Sequence, residues 1–251
     1  MIIDAHMHLP VGYPDLDSKR RKLLSDMKSD NVDVGIVISD SELTSEIGSM
    51  DECAELFKSD CPNVFVAAGI SPYINCEEQL IKLRKYLAEK RVVAVKIFCG
   101  HEPIYIDDDI LTPIFEVACK FNVPVMFHSG WDNAQYASPD RVRTAALTYP
   151  TLRFVCCHCF FPELEVCFET LKDIPNVYFD LSSIADDLAY IPAAKAALEK
   201  YIPKMPERFV FGSDYAGCNR KQHINMCMEL DIPAKYRDML FCSNARRLYK
   251  I

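Results

Sequence analysis

The sequence predicts an α/β protein built as a single (β/α)8 TIM barrel spanning residues 1–251, on three observations. Eight short β-branched runs recur along the chain, helical stretches separate them, and 251 residues suit one barrel. Strict alternation of strand and helix implies a parallel sheet. Eight such units at this length favour a closed barrel over an open, doubly wound sheet.

The predicted strands are Met1–His8, Val32–Ser39, Val64–Gly69, Val92–Phe98, Val123–His128, Leu152–His158, Val177–Leu181 and Phe209–Gly212. Several are almost wholly apolar, as expected of strands buried on both faces. Between them, Ser45–Ser59 carries Met50, Ala54 and Phe57 at helical spacing, and Cys76–Lys90 carries Leu80, Leu83 and Leu87. Asp109–Phe121 opens on acids and closes near Lys120, which suits the helix dipole. Pro162–Lys172, Asp187–Lys200 and Asn219–Leu230 follow the same logic, and a last helix near Pro233–Leu240 and the tail Asn244–Ile251 are expected outside the barrel. No linker, repeat or low-complexity stretch divides the chain.

Half the residues are apolar, enough for a large core, and a quarter are charged. The net charge of −8 argues against nucleic acid. No apolar run approaches the roughly 20 residues that span a bilayer, and no basic-then-apolar leader opens the sequence, so no membrane partner and a cytoplasmic location are expected. The 12 cysteines are scattered, and many sit in apolar runs as small hydrophobes. Cys156-Cys157-His158-Cys159 looks like a metal cluster, but strand neighbours point to opposite faces and cannot all wrap one ion.

In a barrel of this kind the chemistry lies at the C-terminal ends of the strands. His6 and His8 end the first predicted strand as an i, i+2 pair, His128 ends the fifth, His158 ends the sixth, Asp214 follows the eighth and Lys96 sits late in the fourth. Each has a plain structural reading. A strand-end histidine is often only hydrogen-bonded, Asp214 could cap a helix, and Lys96 could pair with Asp180 or Asp4. Together they point to a divalent ion: four of six histidines fall on the one rim where chemistry is expected, while His101 and His223 fall in or near loops. An ion there, with a position open for water, generates hydroxide at neutral pH, and a nearby base handles the proton.

These pieces, in this order, resemble the amidohydrolase superfamily, in its amidohydrolase-related (amidohydrolase 2) group of TIM-barrel metal-dependent hydrolases and some decarboxylases. The resemblance rests on Asp4-Ala5-His6-Met7-His8, Val95-Lys96-Ile97, Phe127-His128-Ser129-Gly130, His158, Phe211-Gly212-Ser213-Asp214-Tyr215 and Asn244-Ala245-Arg246-Arg247-Leu248. It implies His6, His8 and Asp214 as metal ligands, with His128 a further ligand or beside the ion. Asp214 would also take the proton from the metal-activated water. His158 would be a catalytic acid or base, a substrate contact, or a ligand of a second ion. Lys96 would be a ligand only if carbamylated, bridging two ions. The implied cofactor is zinc, with manganese as the other choice, as one ion or two. Barrels of this kind are commonly homodimers, though the sequence marks no surface for it. Two departures stand out. Phe98-Cys99 occupies the place where relatives often have His-Pro, and Cys159-Phe160-Phe161-Pro162 replaces a glycine-rich turn, predicting a more apolar rim.

The substrate is expected to be a small organic molecule held by loop residues: Trp131 after the fifth strand, Tyr73 after the third and Arg220 after the eighth. Arg220 or Arg141 could grip a carboxylate with two hydrogen bonds, or be an ordinary surface residue. The activity expected is hydrolysis of an amide, ester, lactone or similar bond. The alternative is metal-dependent, non-hydrolytic decarboxylation or hydration of a small carboxylic acid. A metal-free binding barrel is disfavoured by the intact ligand set.

Overall fold

The computed structural model describes residues 1–42, 45–57 and 61–251, with backbone only at 132 and 133. Its strands are β1 (Ile3–Met7), β2 (Val34–Ile38), β3 (Val64–Gly69), β4 (Val92–Ile97), β5 (Val125–Phe127), β6 (Phe154–Cys157), β7 (Val177–Asp180) and β8 (Phe209–Val210). They form one parallel sheet in sequential order. The two edges meet: Ala5 N–H donates to Phe211 O at 2.9 Å, and Asp214 N–H donates to His6 O at 2.8 Å. Bringing the edges together removes the free strand edge that an open sheet would carry.

The eight predicted strands all form; β3 keeps its predicted bounds, and the others are trimmed at one or both ends where the backbone turns into a loop. The helices are α1 (Leu16–Ser29), α2 (Met50–Leu56), α3 (Cys76–Ala88), α4 (Thr112–Phe121), α5 (Pro139–Thr148), α6 (Leu164–Leu171), α7 (Ile191–Tyr201), α8 (Arg220–Met228), α9 (Ala234–Asp238) and α10 (Asn244–Tyr249). Two of these were not anticipated. In α1 the buried positions are Lys19, Leu23 and Met27, a sparse stripe among charges, and in α5 they include Ala145 and Ala146, which bury little area. The predicted helix over Ser45–Ser59 starts only at Met50, behind a capping box in which Ser49 and Glu52 satisfy each other's backbone N–H groups. Ser59 lies outside the described residues.

The core has two layers. Ile3, Ala5, Ile38, Ala94, Met126 and Val155 belong to the cluster inside the barrel. Val66, Val95, Phe127, Phe179 and Phe209 point the other way and pack on the helices. The tail, expected outside the barrel, packs closely on it: Ala245, Leu248 and Tyr249 of α10 join the interior cluster.

Arg220 corrects an expectation. It opens α8 as a buried residue, with Nε 2.9 Å from Asp4 Oδ2 and one terminal nitrogen 3.1 Å from Asp30 Oδ2. Its guanidinium lies 4.0 Å from the Tyr215 ring centre. Burial raises the Asp4 carboxyl pKa, against the pull of Arg220 and two hydrogen bonds from Ser213. Arg220 thus ties β1 to α8 and the segment after β8, and it is not available to a substrate. Arg220→Ala strands Asp4 as a buried unpaired charge. It is expected to lower stability by about 3–5 kcal/mol in urea unfolding, with Asp4→Asn recovering part of the loss in the double variant.

Candidate metal centre

The end of β1 carries His6 and His8, and each ring is fixed at Nδ1. His6 Nδ1 donates to Asp180 Oδ2 at 2.5 Å, and His8 Nδ1 donates to Ile38 O at 3.1 Å. With Nδ1 held by these acceptors, both Nε2 atoms are turned toward one point, where a bound cation would take the place of a proton. Both face the same oxygen: Asp214 Oδ1 is 3.3 Å from His6 Nε2 and 3.2 Å from His8 Nε2. Two ligands about 2.0–2.1 Å from a tetrahedral ion lie roughly 3.3 Å apart, so this spacing fits a divalent cation. All three donor atoms lie within 4.8 Å of one another.

Asp214 holds its place through a left-handed backbone, φ 60°, and through a hydrogen bond from Ser183 Oγ to Oδ2. Burial alone would raise its carboxyl pKa. The charge of His6 and hydrogen bonds from both histidines outweigh that and hold it well below the ordinary range. For His6, burial disfavours the imidazolium, but the Asp180 and Asp214 carboxylates outweigh it and raise the pKa well above the ordinary value. A cation between these groups would replace that proton.

His158 and His128 complete the ring of imidazoles. His158 is buried, with Nδ1 3.2 Å from Ser182 O and 2.9 Å from Ser182 Oγ, and its ring centre is 5.1 Å from that of His6. Burial pushes its pKa down to about 3. His128 lies 4.9 Å from His158, centre to centre, and is driven far down by burial and by His158 and Lys96. His101, in the loop after β4, reaches to 4.4 Å from His128 and is also lowered by burial. Lys96 is buried in β4, with Nζ 3.1 Å from Cys157 Sγ. Among the described ion pairs it joins neither Asp4 nor Asp180. Cys156, Cys157 and Cys159 diverge as expected: Cys156 Sγ faces Cys167 at 3.8 Å, and Cys159 Sγ faces Asp180 O at 3.3 Å.

These residues line one cavity of about 600 Å³, which suits a small molecule. His6, His8, Lys96, His128, Trp131, His158 and Asp214 all reach it. Trp131 stacks on His128 at 5.7 Å and 16°. Tyr73 does not reach it. Its hydroxyl donates to Pro103 O at 3.3 Å on the surface, and half its area stays exposed, which corrects its expected substrate role. Arg141 is likewise engaged, with Asp107 at 2.7 Å and stacked on Tyr105. The structure adds cavity residues not singled out before: Asp40, Ser41 and Glu42 after β2, and Glu102 after β4. Their only sequence signal was position after a strand. Asp180, at the end of β7, was seen only as a partner for Lys96.

A parallel barrel with two histidines and an aspartate converging at the strand ends defines the class of metal-dependent barrel enzymes. A family model described as Amidohydrolase matches residues 3–251, and the chain belongs to that family of enzymes. No curated protein matches. Among solved structures, the chain is similar to 4-oxalomesaconate hydratase from Rhodopseudomonas palustris, at 18% identity and TM-score 0.72 over 100% of this chain and 96% of that chain. It is similar to a probable 2-pyrone-4,6-dicarboxylic acid hydrolase from Acinetobacter baumannii with citric acid bound, at 12% identity and TM-score 0.75 over 100% and 99%. It is also similar to a 5-carboxyvanillate decarboxylase from Novosphingobium aromaticivorans with bound manganese and 3-methoxy-4-hydroxy-5-nitrobenzoic acid, at 14% identity and TM-score 0.69 over 92% and 80%. At these identities the likeness shows the fold.

The neutral, buried His158 sets a signed pH dependence. Its folded pKa, about 3, lies below the roughly 6.5 of an unfolded imidazole, so between these values the unfolded chain binds more protons and stability rises with pH. In chelator, urea unfolding at about pH 5 and about pH 7 is expected to show a larger loss on acidification for the wild type than for His158→Gln. Equal losses would mean that His158 is protonated in the fold.

Proposed function

We propose that this chain is a metal-dependent hydrolase that cleaves an amide, ester, lactone or similar bond of a small organic substrate. His6, His8 and Asp214 hold the divalent cation, zinc first and manganese second. The observation that carries this reading is the convergence of two histidine Nε2 atoms, each fixed by a hydrogen bond at Nδ1, on one carboxylate oxygen inside the cavity. A bound cation polarises a substrate oxygen and makes water a nucleophile near neutral pH.

The chain's own residues do the rest. Asp214, kept ionised, accepts the proton of the attacking water and delivers it to the leaving group, so one water is consumed and one bond is cut. His158 donates from Nδ1 to the Ser182 carbonyl, which leaves Nε2 as a base or a contact for a substrate oxygen. His128 serves as a further ligand or a wall beside the ion. Trp131 stacks on it and shields that side of the cavity. Lys96 would join the metal set only if carbamylated, and His158 would then be a ligand of a second ion. The decarboxylase and the hydratase among the similar structures support a second reading, non-hydrolytic chemistry on a small carboxylic acid at the same centre.

Protein purified without chelator is expected to retain metal, measured by mass spectrometry of the digested sample. His6→Ala should lose both metal and turnover. Asp214→Asn should weaken retention and cut turnover by about 10²–10⁴-fold. Lys96→Ala should match His6→Ala only if two ions are held. Unchanged metal content in His6→Ala would defeat the ligand assignment. Carbon dioxide release without uptake of water would move the chain to the second reading.

A further inference from the structure

The loops after β2 and β4 bring acidic groups to the cavity, braced from the loop after β3. Asp40 and Ser41 follow β2, Ser71 follows β3 and Glu102 follows β4. Ser41 Oγ sits between two carboxylates, 2.7 Å from Glu102 Oε1 and 3.5 Å from Asp40 Oδ1. A hydroxyl has one proton, so it satisfies one of them; Asp40 Oδ1 also accepts the Glu42 N–H at 3.2 Å, which leaves its charge unpaired. Ser71 Oγ donates to the other Glu102 oxygen, which fixes that carboxylate in place. Among the described residues neither Asp40 nor Glu102 has an ion-pair partner. Two like charges sharing one hydroxyl repel each other, and a cation placed between them relieves that repulsion.

The rest of the lining does not supply one. Asp40, Glu42, Glu102 and Asp214 face a single ammonium, that of Lys96, which is buried low in β4 against Cys157. With a dication at the metal centre, four carboxylates face one ammonium and two metal charges, which leaves one negative charge uncompensated. No arginine lines the cavity among the described residues. Arg220 and Arg141, the two that could have held a substrate carboxylate, are committed to Asp4, Asp30 and Asp107. The lining beside them is aromatic, starting in the same loop as Glu102 with Phe98 and His101 and running on through His128 and Trp131 in successive ring contacts. Carboxylates next to ring faces are the surroundings that hold small organic cations.

From this arrangement we infer that the cavity takes a substrate bearing a cationic nitrogen group, an ammonium, amidinium or guanidinium, seated between Asp40 and Glu102. The inference rests on the hydrolase reading only for where the scissile bond lies, on the His6, His8 and Asp214 side. It separates this site from one that grips a dicarboxylic acid.

The chain has one tryptophan, Trp131, and it lines the cavity, so its emission reports occupancy directly. Zinc-loaded protein is titrated with benzamidinium, benzamide and benzoate, three probes of one shape and different charge. Benzamidinium is expected to bind about 10-fold or more tighter than benzoate, with benzamide between them, and added salt should narrow the gap. Glu102→Gln and Asp40→Asn should each weaken benzamidinium binding about 3- to 10-fold and leave benzamide unchanged. Benzoate binding as tightly as benzamidinium would overturn the inference, as would an unchanged benzamidinium-to-benzoate ratio in both variants. Metal content and turnover measured on the same samples keep the two readings apart. Cation preference without retained metal upholds this inference and defeats the hydrolase. Retained metal and turnover with benzoate preference does the reverse.

Discussion

The hydrogen bond from His6 Nδ1 to Asp180 Oδ2 joins the first strand to the seventh inside the barrel, and the site is arranged around it. Both partners are buried, so neither can exchange the other for water. The bond fixes the tautomer of His6 and turns its Nε2 toward Asp214. Asp180 is held in turn by the Ser182 N–H at 3.1 Å, and the Ser182 hydroxyl lies within 3.0 Å of both His6 Nδ1 and His158 Nδ1. Space for the pair comes from Gly212. A Cβ there would stand 2.2 Å from Asp180 Oδ1 and 2.8 Å from His6 Cβ. Any other residue would force the histidine and the carboxylate apart, so the glycine after β8 protects the geometry of β1 and β7.

The loops that carry the other groups hold backbone that ordinary residues avoid. Trp131, His158, Cys159, Phe160 and Asp214 all have φ between 51° and 63°. Each left-handed residue with a side chain costs about 1–2 kcal/mol, and such cost persists only where neighbours enforce it. Here they do. Ser129 Oγ donates to Cys157 O at 2.6 Å and accepts the Phe160 N–H at 3.0 Å. Trp131 N–H donates to Phe161 O at 2.8 Å, across a gap so narrow that a Cβ on Gly130 would stand 2.5 Å from that oxygen. The β5 and β6 loops therefore brace each other, and His128, Trp131 and His158 come as one unit.

The period-two and period-3.6 patterns made the barrel legible, because eight buried strands need apolar runs whatever their function. His6, His8, His128, His158 and Asp214 were legible because position at a strand end is a local property. What could not be read was which polar groups meet across the barrel. Arg220 follows β8 as a binding residue would, yet its length lets it turn back beneath the rim to Asp4. Tyr73 follows β3 and turns outward. Glu102 lies 61 positions from Ser41 and 31 from Ser71, Asp40 sits beside Ser41 in an undistinguished loop, and no spacing rule joins them.

The pairing of His6 with His8 shows where strand periodicity stops being sufficient. Ile3 and Ala5 pack inside the barrel, and strict alternation would send Met7 inside as well. Met7 instead packs in the outer layer, where its sulfur meets Arg220 at 3.1 Å. The change accompanies a register shift between Asp4 and Met7 in the pairing of β1 with β2. Such irregularities re-aim side chains next to functional sites. Without the shift, the face occupied by Ile3 and Ala5 would continue to Met7, and His6 would lie on the helix side, away from Asp180. The two histidines share a face because the strand breaks its own pattern below them. The irregularity keeps Asp4 on Arg220 for stability while His6, two residues later, turns to Asp180 and Asp214.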